Sequence, residues 1–229
     1  MAKIKFGQLI SEASGKVAGI VFSKNKYGAY TRQKVSPINP QTTAQSRVRQ
    51  FLASAAGAWK SLTEAQRLQW SSAVQEWKKT NIFGDAQVLS GFNLFCKCYK
   101  TAKDISETVL SNYAGSAAPA GITSVSAEFD VTPDAAAITF APAIPSGEKW
   151  LLFATAPVSL GKTFVKSEYR LIKVLASTDT SPYDAVADYK AIFGTIPLAT
   201  QTAFFKLVPV LKASMKSGIS LSAKASWAS

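Results

Sequence analysis

The sequence contains no histidine and only two cysteines. The first absence removes Ser-His-Asp and Cys-His nucleophilic catalysis, imidazole metal ligands and imidazole-based pH sensing. The second leaves too few thiolates for a four-ligand zinc site or a disulfide framework, which fits a reducing compartment. Acids are scarce as well, 14 against 26 Lys+Arg, for a net charge of +12. No apolar run approaches the roughly 18 residues of a spanning helix; the best, Trp150 to Ala154, is followed by Thr155 and Pro157. Residues Met1 to Gly7 lack the apolar stretch of a secretory signal. Neither membrane insertion nor export by that route is expected, and no catalytic, cofactor or metal site is expected either.

What is present is an ordinary globular composition, 47% hydrophobic and 11% aromatic over 229 residues. That length allows one large or two modest domains, each with its own core. The charge is unevenly spread. Residues 1 to 112 carry 16 Lys+Arg against 6 acids, whereas residues 113 to 229 carry 10 against 8. A basic N-terminal half favours an acidic partner, either nucleic acid or an acidic protein surface.

Residues 15 to 34 combine β-branched and aromatic residues with a turn at Lys24-Asn25-Lys26-Tyr27-Gly28, which predicts a β-hairpin. Asn39 and Pro40 then suit the cap and first position of a helix. Its apolar residues Val48, Phe51, Leu52, Ala55 and Trp59 recur at three and four, as on one buried face. Thr63 and Gln66 stand at capping-box separation and open a second helix carrying Leu68, Trp70, Val74 and Trp77, ending near Lys78 and Lys79. Leu62 is placed to staple against Leu68 or the Arg67 stem. After a loop at 81 to 85, a third helix starts at Ser90 and runs through Phe92, Leu94, Phe95 and Tyr99 toward Lys103.

Small, punctuated residues from 113 to 121 read as a linker. Beyond it, six alternating segments predict strands: Ile122 to Val131, Ala135 to Ala141, Lys149 to Ala156, Thr163 to Leu175, Ala203 to Ala213 and Ile219 to Ala228. The expected fold class is α+β in two domains. A basic β-hairpin plus α-helical module spans 1–112, and an antiparallel β-sandwich of immunoglobulin or fibronectin type III layout spans 122–229. A short helix capped by Ser181, with Pro182 first, interrupts the sandwich.

Three motifs compete for a chemical role. Ala156 to Thr163 satisfies a relaxed phosphate-loop pattern, with Lys162 and Thr163 as its phosphate and magnesium ligands. Such a loop must open a helix, yet Phe164 to Val174 has strand-like spacing, so an ordinary loop between strands is expected. Cys96 and Cys98 point about 200° apart on a helix and cannot share a metal, so one packs and the other is incidental. Glu128, Asp130 and Asp134 lie on or beside one alternating strand and are assigned to solvent. The segment from Lys3 to Arg49 holds nine Lys+Arg and one acid, Glu12, with Phe6, Phe22, Tyr27 and Tyr30 interleaved. Such a pattern suits a phosphate backbone with stacking aromatics, or a small core beneath solvated charges.

An ordered string of residues carries a resemblance: Asn25, Lys26, Tyr27, Gly28 and Arg32; Pro37, Asn39, Pro40, Thr42, Gln45, Arg49 and Phe51; Trp59, Leu62, Thr63, Gln66, Arg67 and Trp70; then Phe83, Gly84, Ser90, Gly91, Phe92 and Phe95. Over residues 15 to 100 it resembles an uncharacterised family common in tailed bacteriophages and prophages, whose members are similar to virion-associated proteins. The resemblance implies a structural subunit of the virion, made in the host cytoplasm and present in many copies in the tail, the head-to-tail ring or on the capsid surface. Its implied partners are other virion proteins with acidic surfaces and further copies of itself. Lys24, Lys26, Arg32, Arg47 and Arg49 are the expected contacts. The competing expectation is a protein that coats or condenses DNA through its N-terminal half, without sequence specificity.

Overall fold

The computed structural model describes residues 2–7, 10, 12–36, 38–130 and 135–227, together with the side chains of all of these except Ala44 and Lys79. Met1, Pro37, Val131, Asp134 and Ala228, which figure in the expectations above, lie outside the described residues. Within them the fold is mixed α+β, with four α-helices and largely antiparallel sheets. Contacts divide the chain into two compact units, and neither ends at residue 112. The first comprises 1–53 with 78–88, and the second 54–77 with 89–229.

In the first unit, β1 (Ala2–Lys3), β2 (Gly15–Val17), β3 (Ile20–Asn25) and β4 (Gly28–Gln33) form one antiparallel sheet in the order β1-β4-β3-β2. The predicted hairpin is β3 and β4. Asn25 faces Gly28 across a two-residue turn, and its side-chain oxygen accepts the Tyr27 amide at 2.9 Å. Gly28 has φ +105°, a value that strains any residue with a Cβ.

Helix α1 spans Thr43–Ser61, its first residues in one unit and its last in the other. Asn39 does not cap it. Gln41 turns the chain through φ +48°, and the cap is Thr42, whose hydroxyl accepts the Gln45 amide at 3.3 Å. Asn39 instead accepts a hydrogen bond from the Arg49 guanidinium. Nor is the apolar stripe of α1 a continuous buried face: Ala55 is buried, Phe51 and Trp59 are half-buried, and Val48 and Leu52 are exposed.

Helix α2 (Glu64–Ala73) begins with the complete predicted capping box. The Thr63 hydroxyl accepts the Gln66 amide, and the Gln66 side chain accepts the Thr63 amide at 2.9 Å. It continues as a 3₁₀ turn, Val74–Trp77. Trp70, Ala73, Val74 and Trp77 are buried, whereas Leu68 is exposed and is no staple for Leu62. Two short strands, β5 (Lys79–Thr80) and β6 (Ala86–Gln87), pair around the Asn81–Asp85 turn. Helix α3 (Gly91–Asp104) starts at the predicted Ser90 cap. Gly91 is required there, because a Cβ would lie 2.6 Å from Ser71 Oγ and 3.0 Å from the Ser71 backbone. Trp59, Trp70 and Tyr99 pack on Phe95 with ring centroids 5.4 to 5.9 Å apart.

All six predicted C-terminal strands are present: β7 (Ser124–Asp130), β8 (Ala135–Ala141), β9 (Glu148–Ala154), then, after a short β10 (Val158–Ser159), β11 (Arg170–Leu175). The segment 163–169, expected to belong to β11, is irregular. After β12 (Tyr183–Asp184) comes helix α4 (Val186–Phe193), then β13 (Gln201–Thr202), β14 (Phe204–Leu211), β15 (Leu221–Lys224) and β16 (Ser226–Trp227). Two four-stranded sheets result, β11-β9-β14-β15 and β12-β8-β7-β16. Their inward residues, including Phe129, Ile138, Trp150, Leu152, Phe205 and Leu207, form one core with Tyr189 of α4.

The inserted helix starts later than expected. Ser181 caps nothing, because its hydroxyl accepts the Phe140 amide at 2.9 Å while Tyr183 and Asp184 pair with β8. The Asp184 carboxylate accepts the Val186 amide at 3.0 Å instead.

The 113–121 segment has no regular structure but is pinned along its length. Tyr113 accepts the Trp77 indole N–H at 2.9 Å and donates to Glu76 at 2.8 Å. Lys216 reaches the Ser116 carbonyl at 2.8 Å, buried Ser214 reaches the Ala117 carbonyl at 2.6 Å, and Glu148 accepts the Ala120 amide. Lys149 holds the entry to this connection, donating to the Ile105 carbonyl at 2.8 Å and pairing with Glu107 at 2.9 Å. Trp77 also carries two cations over its ring, Lys97 at 4.2 Å and Lys216 at 5.3 Å from the centroid.

Candidate functional site

The basic character of the N-terminal half is concentrated in the first unit. It carries 11 Lys+Arg against two acids, Glu12 and Asp85, for a net charge of +9, leaving +3 for the second unit. Both acids are already engaged: Glu12 pairs with Lys24, and Asp85 with Lys5 at 3.2 Å. The Lys24 hydrogen bond and charge hold the Glu12 carboxyl below the usual carboxylate range. Asp85 is held down first by its hydrogen bond from Asn81 and then by Lys5.

The described side chains of the same unit form no buried core. Among its described residues not one is fully buried, and nine large apolar side chains are exposed, including Val17 at 64% and Ile20 at 47%. Strand register explains why the sheet still forms and how it divides its residues. Gly15 pairs with Phe22, Phe22 with Thr31 and Thr31 with Ala2. Val17 pairs with Ile20, Ile20 with Gln33, and Lys24 with Ala29. These residues share one face, which is largely apolar and whose single cation, Lys24, is neutralised by Glu12. The opposite face carries Lys16, Val21 and Arg32 in one row across three strands, and Ser23, Tyr30 and Lys3 in the next. Among its described strand residues are three cations and no carboxylate, Asp85 lying near Lys3 from outside the sheet.

The five expected contact residues all lie in this unit, but they do not form one patch. Lys24 and Arg32 are on opposite faces of the sheet, and Lys26 is in the hairpin turn. Arg47 and Arg49 are exposed on α1 and, two residues apart, project about 200° from each other. The register brings Lys3 and Lys16 beside Arg32, two residues not singled out from the sequence. Their signal is the alternation in Ala2-Lys3-Ile4 and Gly15-Lys16-Val17, hidden because each strand is only two or three residues long.

The other motifs are absorbed by the fold. Thr163 opens no helix. Val158 and Ser159 pair with β13, and Lys162 is bound by both carboxylate oxygens of Glu168 at 3.0 and 3.1 Å. Cys98 is buried on the core side of α3, where burial pushes its thiol up to about 11, while Cys96 is half-buried. Among the described residues no group of three or more His, Cys, Asp or Glu is placed to hold a metal ion, and no helix is long and apolar enough to cross a membrane.

No protein-family model matches the chain, and no curated protein matches it. Among solved structures, a Fn3-like protein from Clostridium thermocellum is similar over 49% of this chain and 97% of its own, at 16% identity and a TM-score of 0.33.

Proposed function

We propose that the chain is a non-enzymatic structural subunit of a tailed-bacteriophage virion, present in many copies in the tail, in the head-to-tail ring or on the capsid surface. The observation that carries this reading is the first unit, a sheet with Val17 and Ile20 exposed side by side on its apolar face. Burying an exposed valine or isoleucine such as Val17 or Ile20 stabilises by about 1 kcal/mol or more, so a neighbour that covers this face gains affinity at each position. Support also comes from the second unit, whose two sheets and shared core fit a β-sandwich domain of immunoglobulin or fibronectin type III layout. Partners are other virion proteins with acidic surfaces and further copies of this chain, with Lys24, Lys26, Arg47 and Arg49 as contact candidates, Arg32 lying on the opposite face of the sheet.

The test has two arms. Mass spectrometry of purified particles from the encoding phage should find the chain in stoichiometric multiple copies; its absence from particles overturns the reading. Light scattering of the purified chain from 0.1 to 1 M NaCl should show association that persists at high salt and is lost in Ile20→Asp, because apolar contacts are not screened. A monomer at every salt concentration, from a chain that is also absent from particles, removes the assembly role altogether.

A further inference from the structure

The face of the first sheet opposite the apolar one has a different chemistry. Lys16 and Arg32 stand two strand spacings apart, about 9.6 Å, and Lys3 lies about 8 Å from Arg32, one strand over and two residues along. Between them are Ser23, Tyr30 and Val21, all half-buried. A surface depression beside this row is lined in part by Lys3, Tyr27, Tyr30 and Gln87, which places two tyrosines and a cation around one hollow. The nearby carboxylate, Asp85, whose charge is felt from Lys3, is already bonded to Asn81 and Lys5.

We propose that this face, through Lys3, Lys16 and Arg32 with Tyr30 between them, contacts the phosphate backbone of nucleic acid without reading its sequence. A protein interface needs an apolar centre from which water is excluded, and among its described strand residues this face has one aliphatic side chain, Val21, half-buried between two cations. A phosphate backbone needs spaced cations and polar donors, with aromatic faces available for unpaired bases, and these are what the register assembles. The two faces therefore take two partner chemistries: protein on the apolar side, a polyanion on the basic side. The inference stands apart from the virion reading, since either face can be occupied without the other.

The experiment is fluorescence anisotropy of a labelled 30-base-pair duplex and a 30-nucleotide single strand, titrated with the full chain from 50 to 200 mM NaCl. Three phosphate contacts give a log–log salt slope of about −2.7, a loss of roughly 40-fold across that range. The variant Lys3→Gln/Lys16→Gln/Arg32→Gln should bind at least tenfold more weakly at 50 mM and lose most of the slope. The charge-keeping variant Lys3→Arg/Lys16→Arg/Arg32→Lys should bind like the parent, which separates loss of contact from loss of fold. A control with the same change in net charge, Lys60→Gln/Lys103→Gln/Lys166→Gln, should leave binding within about threefold. Absence of binding at 50 mM overturns the proposal, as do equal losses in the control and the triple variant. Displacement of the duplex by polyglutamate at a lower concentration than by unlabelled DNA also overturns it, and assigns the face to an acidic protein.

Discussion

Replacing Glu148 with alanine should strand a buried indole. Glu148 is the first residue of β9 and only 3% exposed; one carboxylate oxygen accepts the Trp150 indole N–H at 3.0 Å and the other accepts the Ala120 amide. Trp150 is completely buried, in edge contact with Phe140 at 5.4 Å, so water cannot take over its N–H. Leaving such a donor unpaired costs about 1–3 kcal/mol. Ala120 is exposed and its amide can turn to solvent, which adds only about 0.5–1.5 kcal/mol for the lost bond. The variant should therefore be about 2–4 kcal/mol less stable. Glu148→Gln keeps one acceptor oxygen, can satisfy Trp150 at the expense of Ala120, and should lose about half as much. All five tryptophans lie in the second unit, so urea unfolding followed by tryptophan fluorescence reports on the body in question. Hydrogen exchange at the Ala120 amide should accelerate in both variants. An alanine variant within 0.5 kcal/mol of the parent, or an alanine variant no worse than the glutamine one, refutes the reasoning.

Two further outcomes are expected. Gly91→Ala places a Cβ 2.6 Å from Ser71 Oγ and 3.0 Å from the Ser71 backbone, so α2 and α3 must part; a loss of about 1–3 kcal/mol in the same urea assay is expected. Glu107 is held below its ordinary value of 4.5, chiefly by its hydrogen bond from Lys149, so its contribution is full above the unfolded carboxylate pKa and disappears as pH falls through the lower folded value. Parent and Glu107→Gln should accordingly differ in stability at pH 6 and converge toward pH 3; a constant difference across that range would show that the charge is irrelevant.

What was legible in the sequence was local. The Thr63 and Gln66 box and the Ser90 cap are decided within four residues and need nothing from the rest of the chain. The C-terminal strands were legible because alternation reports a half-buried sheet directly. Where distant partners decide, reading failed. Ser181 is diverted to the Phe140 amide 41 residues away, and Asn39 to Arg49. The stripe Val48, Phe51, Leu52, Ala55 and Trp59 is real as a pattern, but periodicity says that a face is apolar and not what covers it. The candidate site shows the same limit. The hairpin was readable, whereas the two faces depend on β1 and β2, too short to register as strands, whose pairing places Lys3 and Lys16 beside Arg32.

The pinned connection between α3 and β7 bears on how the gene can be trimmed. A fragment beginning at residue 122 would retain Ser214, Lys216 and Glu148 but discard the Ala117 and Ser116 carbonyls and the Ala120 amide that they hold. It would also strip Pro119 from Gly218, where the two pack too closely for a side chain at 218. Such a fragment would carry a row of severed tethers along one flank, and a shortened gene that keeps the chain from residue 113 onward would leave these tethers intact.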